Sequence, residues 1–157
     1  MASKRTFAIF TLLFLLVAPN LHAAKCSNAS VNGTYAYSTH GFTEVTPDIS
    51  SAGFAPFAQT GVIVYDGHGA ITSGTFTYST TTANGGSFRG TFTGSYTVNG
   101  DCSGTALVDL GDGTIFHFDL VVQGLSRHTF INTDAGGFIS VYSFQRISGE
   151  KQEAATQ

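Results

Sequence analysis

Tryptophan is absent from this chain, methionine occurs once, proline three times, and only 11% of the residues are charged. The seven Lys and Arg are scattered along 157 residues, so the clustered cations that neutralise phosphates are missing and nucleic-acid binding is excluded as a reading. Long apolar runs are missing too. The longest, Phe7 to Ala18, spans 12 residues and is too short to cross a hydrocarbon core of roughly 30 Å as a helix. Strong helix periodicity is absent, and nineteen Gly with abundant Ser and Thr argue against a coiled coil or helical bundle. What is present is aromatic bulk: fourteen Phe and six Tyr can supply the core of one ordinary domain, which a disordered acidic chain could not build.

Lys4 and Arg5 precede the apolar run, Pro19 and Asn20 break it, and Leu21-His22-Ala23 ends on a small residue. This is the pattern of a secretory signal peptide over residues 1–23, with cleavage after Ala23 or Ala24. Lys25 stands before Cys26, where a lipoprotein signal requires a small residue, so no lipid anchor is expected. Removal of the signal leaves five basic and ten acidic side chains, a net charge of −5. The expected location is secreted or periplasmic. In such an oxidising compartment the two cysteines, Cys26 and Cys102, are expected to form one structural disulfide. Closing that loop would contribute about 4 kcal/mol in the chain-entropy model. A metal or thiol site lacks support, since there is no C-x-x-C and neither cysteine has a nearby His or Arg in sequence.

Downstream the hydrophobic period is 2, punctuated by turn residues. Eight strands are predicted, at about Thr34–Phe42, Phe57–Tyr65, Ala70–Ser79, Phe88–Val98, Cys102–Leu110, Ile115–Gln123, His128–Thr133 and Phe138–Ile147. Asp66-Gly67-His68-Gly69 predicts a tight turn, and Asn99-Gly100 a two-residue type I′ hairpin. The first loop, with Pro47, Gly53 and Pro56, is long for a hairpin and is a candidate lid. Eight strands in meander order remove their edges by closing, so the expected fold is an eight-stranded antiparallel up-and-down β-barrel over residues 24–147. A polar tail, 148–157, follows it, and a β-sandwich is the alternative fold. Strand four alternates Phe88, Gly90, Phe92, Gly94, Tyr96 and Val98 against Arg89, Thr91, Thr93, Ser95 and Thr97, a pattern suited to tight curvature.

Gly33-Thr34-Tyr35-Ala36-Tyr37, Asp66-Gly67-His68-Gly69, and the run from Gly94-Ser95-Tyr96 through Asp101-Cys102-Ser103-Gly104-Thr105 together carry a resemblance. The chain resembles small secreted bacterial proteins of uncharacterised function, over about Cys26 to Ile147. More distantly it is similar to the allene oxide cyclase and dirigent barrels, of the calycin-like kind. That likeness implies eight strands and a homo-oligomer, possible as a trimer. Its motifs are turn and packing residues, and no catalytic residue of those families matches a position here.

Candidate chemistry is sparse. His117 and Asp119, two apart on strand six, share a face and form a candidate polar pair, opposite the apolar Phe116, Phe118, Leu120 and Val122. Glu44 and Asp48 in the first loop could pair as acid and base. Arg146, in phase with Phe138, Tyr142 and Phe144, is the best candidate for a partly buried cation that holds a ligand, and Tyr96 and Tyr142 join it as candidate ligand-binding residues. No metal-binding spacing, serine-hydrolase elbow or phosphate-binding glycine loop occurs, so no metal or cofactor is expected. The leading expectation is a barrel that holds a small hydrophobic molecule without catalysis. The alternatives are a cyclase- or isomerase-type enzyme, a structural or adhesive surface protein, and an outer-membrane barrel, the last disfavoured by strands shorter than 9–11 residues.

Overall fold

The computed structural model describes residues 25–44, 53–81, 86–135 and 138–148. The expected signal peptide, residues 45–52 of the candidate lid with Pro47 and Asp48, the Glu44 side chain, and the tail from 149 lie outside the described residues, whereas Gly53 and Pro56 of that loop are described, Pro56 within a strand. A 3-10 turn, Asn28–Val31, precedes eight strands: β1 Gly33–Glu44, β2 Phe54–Tyr65, β3 Ala70–Thr80, β4 Gly86–Val98, β5 Ser103–Asp109, β6 Ile115–Val122, β7 Arg127–Asn132 and β8 Phe138–Ser148. Each pairs antiparallel with the next, and β8 returns to β1 to close the barrel. Closure rules out the sandwich, because β1 is hydrogen-bonded on both sides, to β2 and to β8.

Inward and outward residues alternate as period 2 demands. On β6 the side chains of Phe118, Leu120 and Val122 are buried while His117, Asp119 and Val121 are exposed. On β3 the alternation changes phase. The register with β4 shifts between Ile71 and Gly74, a bulge that leaves Ile71 inward and then turns Gly74, Phe76 and Tyr78 inward as well. Without that extra residue the threonines of β3 would face the core and the aromatics would face water.

Gly74 of β3 and Gly90 of β4 are each covered by a ring. A Cβ on Gly74 would lie 2.1 Å from the Phe92 ring, and one on Gly90 would lie 2.6 Å from the Phe76 ring. Gly74 is paired with Phe92 and Phe76 with Gly90, so each ring lies over the glycine opposite it. The β4–β5 connection departs from the expected type I′ turn. Asn99 and Gly100 keep ordinary φ, and the positive φ of 70° falls on Cys102 instead. The Cys102 amide donates to the Asn99 carbonyl at 3.0 Å, and the Asp101 carboxylate takes the Ser103 amide at 3.0 Å. The loop thus runs from Asn99 to Cys102, with Asp101 satisfying its end.

One end of the barrel is plugged. Cys26 and Cys102 are joined in a disulfide with Cα atoms 4.9 Å apart, which fastens the 3-10 turn beneath the strands. Asn28 holds it from both sides: its Nδ2 donates to the His68 carbonyl at 3.2 Å, and its Oδ1 accepts the Val98 amide at 2.7 Å. Val31 enters the core, 2% exposed, against buried Tyr35, Tyr65 and Ile71. Asp66 organises the adjoining β2–β3 turn by accepting the amides of His68, Gly69 and Ala70 at 2.7, 3.0 and 2.9 Å, and those bonds hold its carboxyl below the usual range.

His128 lies in this closed end, 1% exposed, stacked on Phe144 at 4.3 Å between centroids. Its Nε2 is 2.9 Å from the Tyr65 hydroxyl, and its Nδ1 has no partner among the described residues. Burial keeps the Tyr65 phenol protonated, and with Nε2 as its acceptor the single hydroxyl hydrogen is paired. Burial, and secondarily the positive charge of Arg146, push the imidazole down to about 3. A histidine that is neutral when folded and protonates readily when unfolded contributes stability above its unfolded value near 6.5, and that stability is lost as pH falls towards the folded value. The stability of the wild type to urea should therefore fall from pH 6.5 to pH 4 with a slope approaching ~1.4 kcal/mol per unit. His128→Phe should flatten the dependence over that interval. Equal slopes in the two proteins would place the acid sensitivity elsewhere.

The outward face of β4 is polar, with Arg89, Thr91, Thr93, Ser95 and Thr97 exposed. Strand length divides the barrel: β5, β6 and β7 run 7, 8 and 6 residues, as expected, whereas β1, β2, β3, β4 and β8 run 11 to 13. A lipid-spanning barrel turns apolar side chains outward, and the β4 face does not, although Phe42, Phe54, Val121, Ile131, Ile139 and Val141 stand exposed on other strands.

Candidate functional site

The other end of the barrel is hollow. A cavity of about 280 Å³ opens among the ends of the strands away from the plug. Eleven of its sixteen lining residues are aromatic, and none carries a charge. Phe76, Tyr78, Phe88 and Phe92 come from β3 and β4, Phe116 and Phe118 from β6, and Phe138, Tyr142 and Phe144 from β8. Its floor is shared with the plug, because Phe144 and Phe130 face the cavity while both rings also pack on His128. Rings meet edge-on around the wall, as with Phe116 and Phe138 at 5.5 Å and Phe118 and Tyr142 at 5.4 Å, the arrangement that aromatic quadrupoles favour.

Five polar side chains, Tyr37, Gln59, Tyr78, Asn132 and Tyr142, interrupt this lining, and three of them have defined partners. The Tyr37 hydroxyl donates to the Thr75 carbonyl at 3.2 Å and accepts from Gln59 Nε2 at 2.9 Å. Gly61 makes that reach possible, since a Cβ there would lie 1.9 Å from the Thr75 oxygen and 2.8 Å from the Tyr37 hydroxyl. Burial raises the Tyr37 phenol well above its ordinary range, so it stays a neutral donor. Asn132, on the opposite side, spends its amide outward: Nδ2 donates to the His117 carbonyl at 3.3 Å and to Asp134 at 3.1 Å, and Oδ1 accepts the Asp134 amide at 3.2 Å.

The predicted site residues divide among three places. Tyr142 lines the cavity, where burial raises its phenol. Tyr96 and Arg146 belong to the plugged end. The Tyr96 hydroxyl donates to the Asn28 carbonyl at 3.2 Å, and burial pushes the phenol up to about 12. Arg146 gives Nε and Nη2 to the Tyr35 hydroxyl at 2.9 and 2.6 Å, and Nη2 also to the Ser30 carbonyl at 3.1 Å. Its phase was legible on β8, but the direction of the plug was not. His117 and Asp119 both stand exposed on the outer face, and they do not pair. His117 Nδ1 instead meets Asp134 at 2.7 Å, and the same carboxylate accepts the His117 amide at 2.8 Å. Among the described residues no cluster of His, Cys, Asp and Glu could hold a metal ion.

Sequence reasoning missed Gln59 and Asn132. Gln59 did leave a signal: it occupies the inward phase of β2 between Phe57 and Ile63, a polar residue in an apolar row. No family model, curated protein or solved structure matches the chain. The geometry therefore carries the functional argument.

Arg146 is a clamp for the plug. Arg146→Met should lower the urea midpoint by an amount equivalent to about 2–3 kcal/mol, as the Ser30 carbonyl and the Tyr35 hydroxyl lose a charged partner. The same substitution should leave the affinity for an apolar probe within about twofold, a ratio worth ~0.4 kcal/mol. A large loss of probe affinity at unchanged stability would return Arg146 to the ligand site.

Proposed function

We propose that this protein is an exported barrel that binds a small hydrophobic molecule in its open end, without catalysing a reaction. The observation that carries the reading is the cavity of about 280 Å³, closed below by the plug and lined mostly by aromatic rings. Concave apolar sites with a few placed polar groups are where small ligands bind. A filled interior would have left no such volume, and eight strands make a barrel of the size that can hold one small ligand. The rival reading, a cyclase- or isomerase-type enzyme in a cavity, would draw on the tyrosine hydroxyls and two amides of the lining. Among the described residues the lining has no carboxylate or imidazole to move a proton. Export is supported by the charged, apolar and small-residue pattern of residues 1–23, and by a disulfide that persists in oxidising compartments.

The test is titration of the purified protein with N-phenyl-1-naphthylamine, a neutral dye that fluoresces in apolar surroundings. Saturable enhancement at one dye per chain is expected. Val108→Trp, which places an indole in the cavity lining, should abolish it while the far-ultraviolet circular dichroism is unchanged. Absence of saturable binding, or binding untouched by Val108→Trp, would remove the reading.

A further inference from the structure

We infer that the ligand is a neutral two-ring aromatic alcohol or a close equivalent, whose single hydroxyl donates to the amide oxygen of Gln59. This inference rests on the cavity being a binding site, and it adds what that site selects. Size comes first. A cavity of about 150 Å³ lined by apolar side chains holds benzene. The present one, at about 280 Å³, is nearly twice as large and suits two fused rings. Charge comes second. The lining among the described residues has no cation to balance an anionic ligand and no carboxylate to balance a cationic one. Either ion would lose its hydration without compensation, so the occupant is neutral.

Polarity comes third, and here the hydrogen-bond network decides. The Tyr37 hydroxyl has one hydrogen, and it goes to the Thr75 carbonyl, which can only accept. What Gln59 presents to the Tyr37 oxygen must then be a donor, which settles the amide with Nε2 towards Tyr37 at 2.9 Å. The remaining carbonyl oxygen of Gln59, half-buried in the cavity wall, has no partner among the described residues. Asn132 offers no such opening, because both its Nδ2 and its Oδ1 are engaged by His117 and Asp134. The hydroxyls of Tyr78 and Tyr142 can give or take a hydrogen, so they do not choose between ligands. Gln59 is thus the lining group with a fixed role and an unused acceptor. An apolar molecule that lacks a donor leaves this oxygen unpaired and dry, and one that has a donor satisfies it.

The experiment compares three probes of nearly one shape, 2-naphthol, 2-methoxynaphthalene and naphthalene, by calorimetric or fluorescence titration of the wild type and of Gln59→Leu. The leucine retains the bulk of the wall, and Tyr37 still has Thr75 as its acceptor. In the wild type 2-naphthol should bind roughly five- to tenfold more tightly than its methyl ether, a ratio in keeping with one neutral hydrogen bond. In Gln59→Leu that ratio should fall to about one, with naphthalene binding retained or improved. Equal binding of naphthol and ether by the wild type would overturn the inference and leave the binding barrel standing. A preference that survives Gln59→Leu would overturn it as well, in favour of a tyrosine hydroxyl. If none of the three probes binds, the binding reading falls and the inference with it.

Discussion

Return of β8 to β1 is the constraint on which everything else depends. Ten residue pairs join these two strands, from Thr34 with Ser148 to Thr43 with Phe138. With that seam made, every inward side chain is enclosed by a wall of fixed circumference, and the interior must be filled or left hollow. The molecule does both. Bulky residues and the disulfide-tethered 3-10 turn fill one end, and a ring of aromatics in edge-on, tilted and stacked contact leaves space at the other.

The filled end explains the hollow one. A cavity with two open mouths would be a channel, and water would compete for its walls. Here Val31, Tyr35, Tyr65, His128 and Tyr96 form a floor. It is held by contacts that span the chain: the disulfide separates its cysteines by 76 residues, and Arg146 reaches back to Ser30. Buried hydroxyls and the imidazole are costly in such a place unless paired, and nearly all of them are. Among the described residues His128 Nδ1 and, away from the floor, Ser140 Oγ are without partners, and for the imidazole the penalty is reduced because the ring is neutral and packed between aromatic neighbours.

The polar residues of the hollow end have two roles. Asn132 is turned outward and couples the rim to the exposed His117–Asp134 pair, so it belongs to the architecture of the β7 end. Gln59 and Tyr37 are turned inward and tie β1, β2 and β3 together within the wall. That difference is a matter of which acceptors lie within reach, since the two side chains carry the same amide. Tyr37 reaches Thr75 only because residue 61 has no side chain.

Strand number, order and approximate bounds, and the pairing of the only two cysteines, were legible from alternation, turn residues and cysteine count, because those signals are local or combinatorially trivial. Turn chemistry was partly legible: Asp66 to Gly69 made the expected tight turn, whereas at Asn99 the disulfide and the Asp101 bonds moved the left-handed residue to Cys102. The inward phase of β3 was not legible, since one extra residue in a bulge reverses which face every later side chain takes. Nor could the sequence say that Tyr96 and Arg146 serve the floor and Tyr142 the cavity. All three obey the same period-2 rule, and only the height of each along the closed barrel separates them. Period and composition determined that this chain makes a barrel with an aromatic interior; register and closure decided where that interior is solid, where it is hollow, and which amide is left with an oxygen to offer.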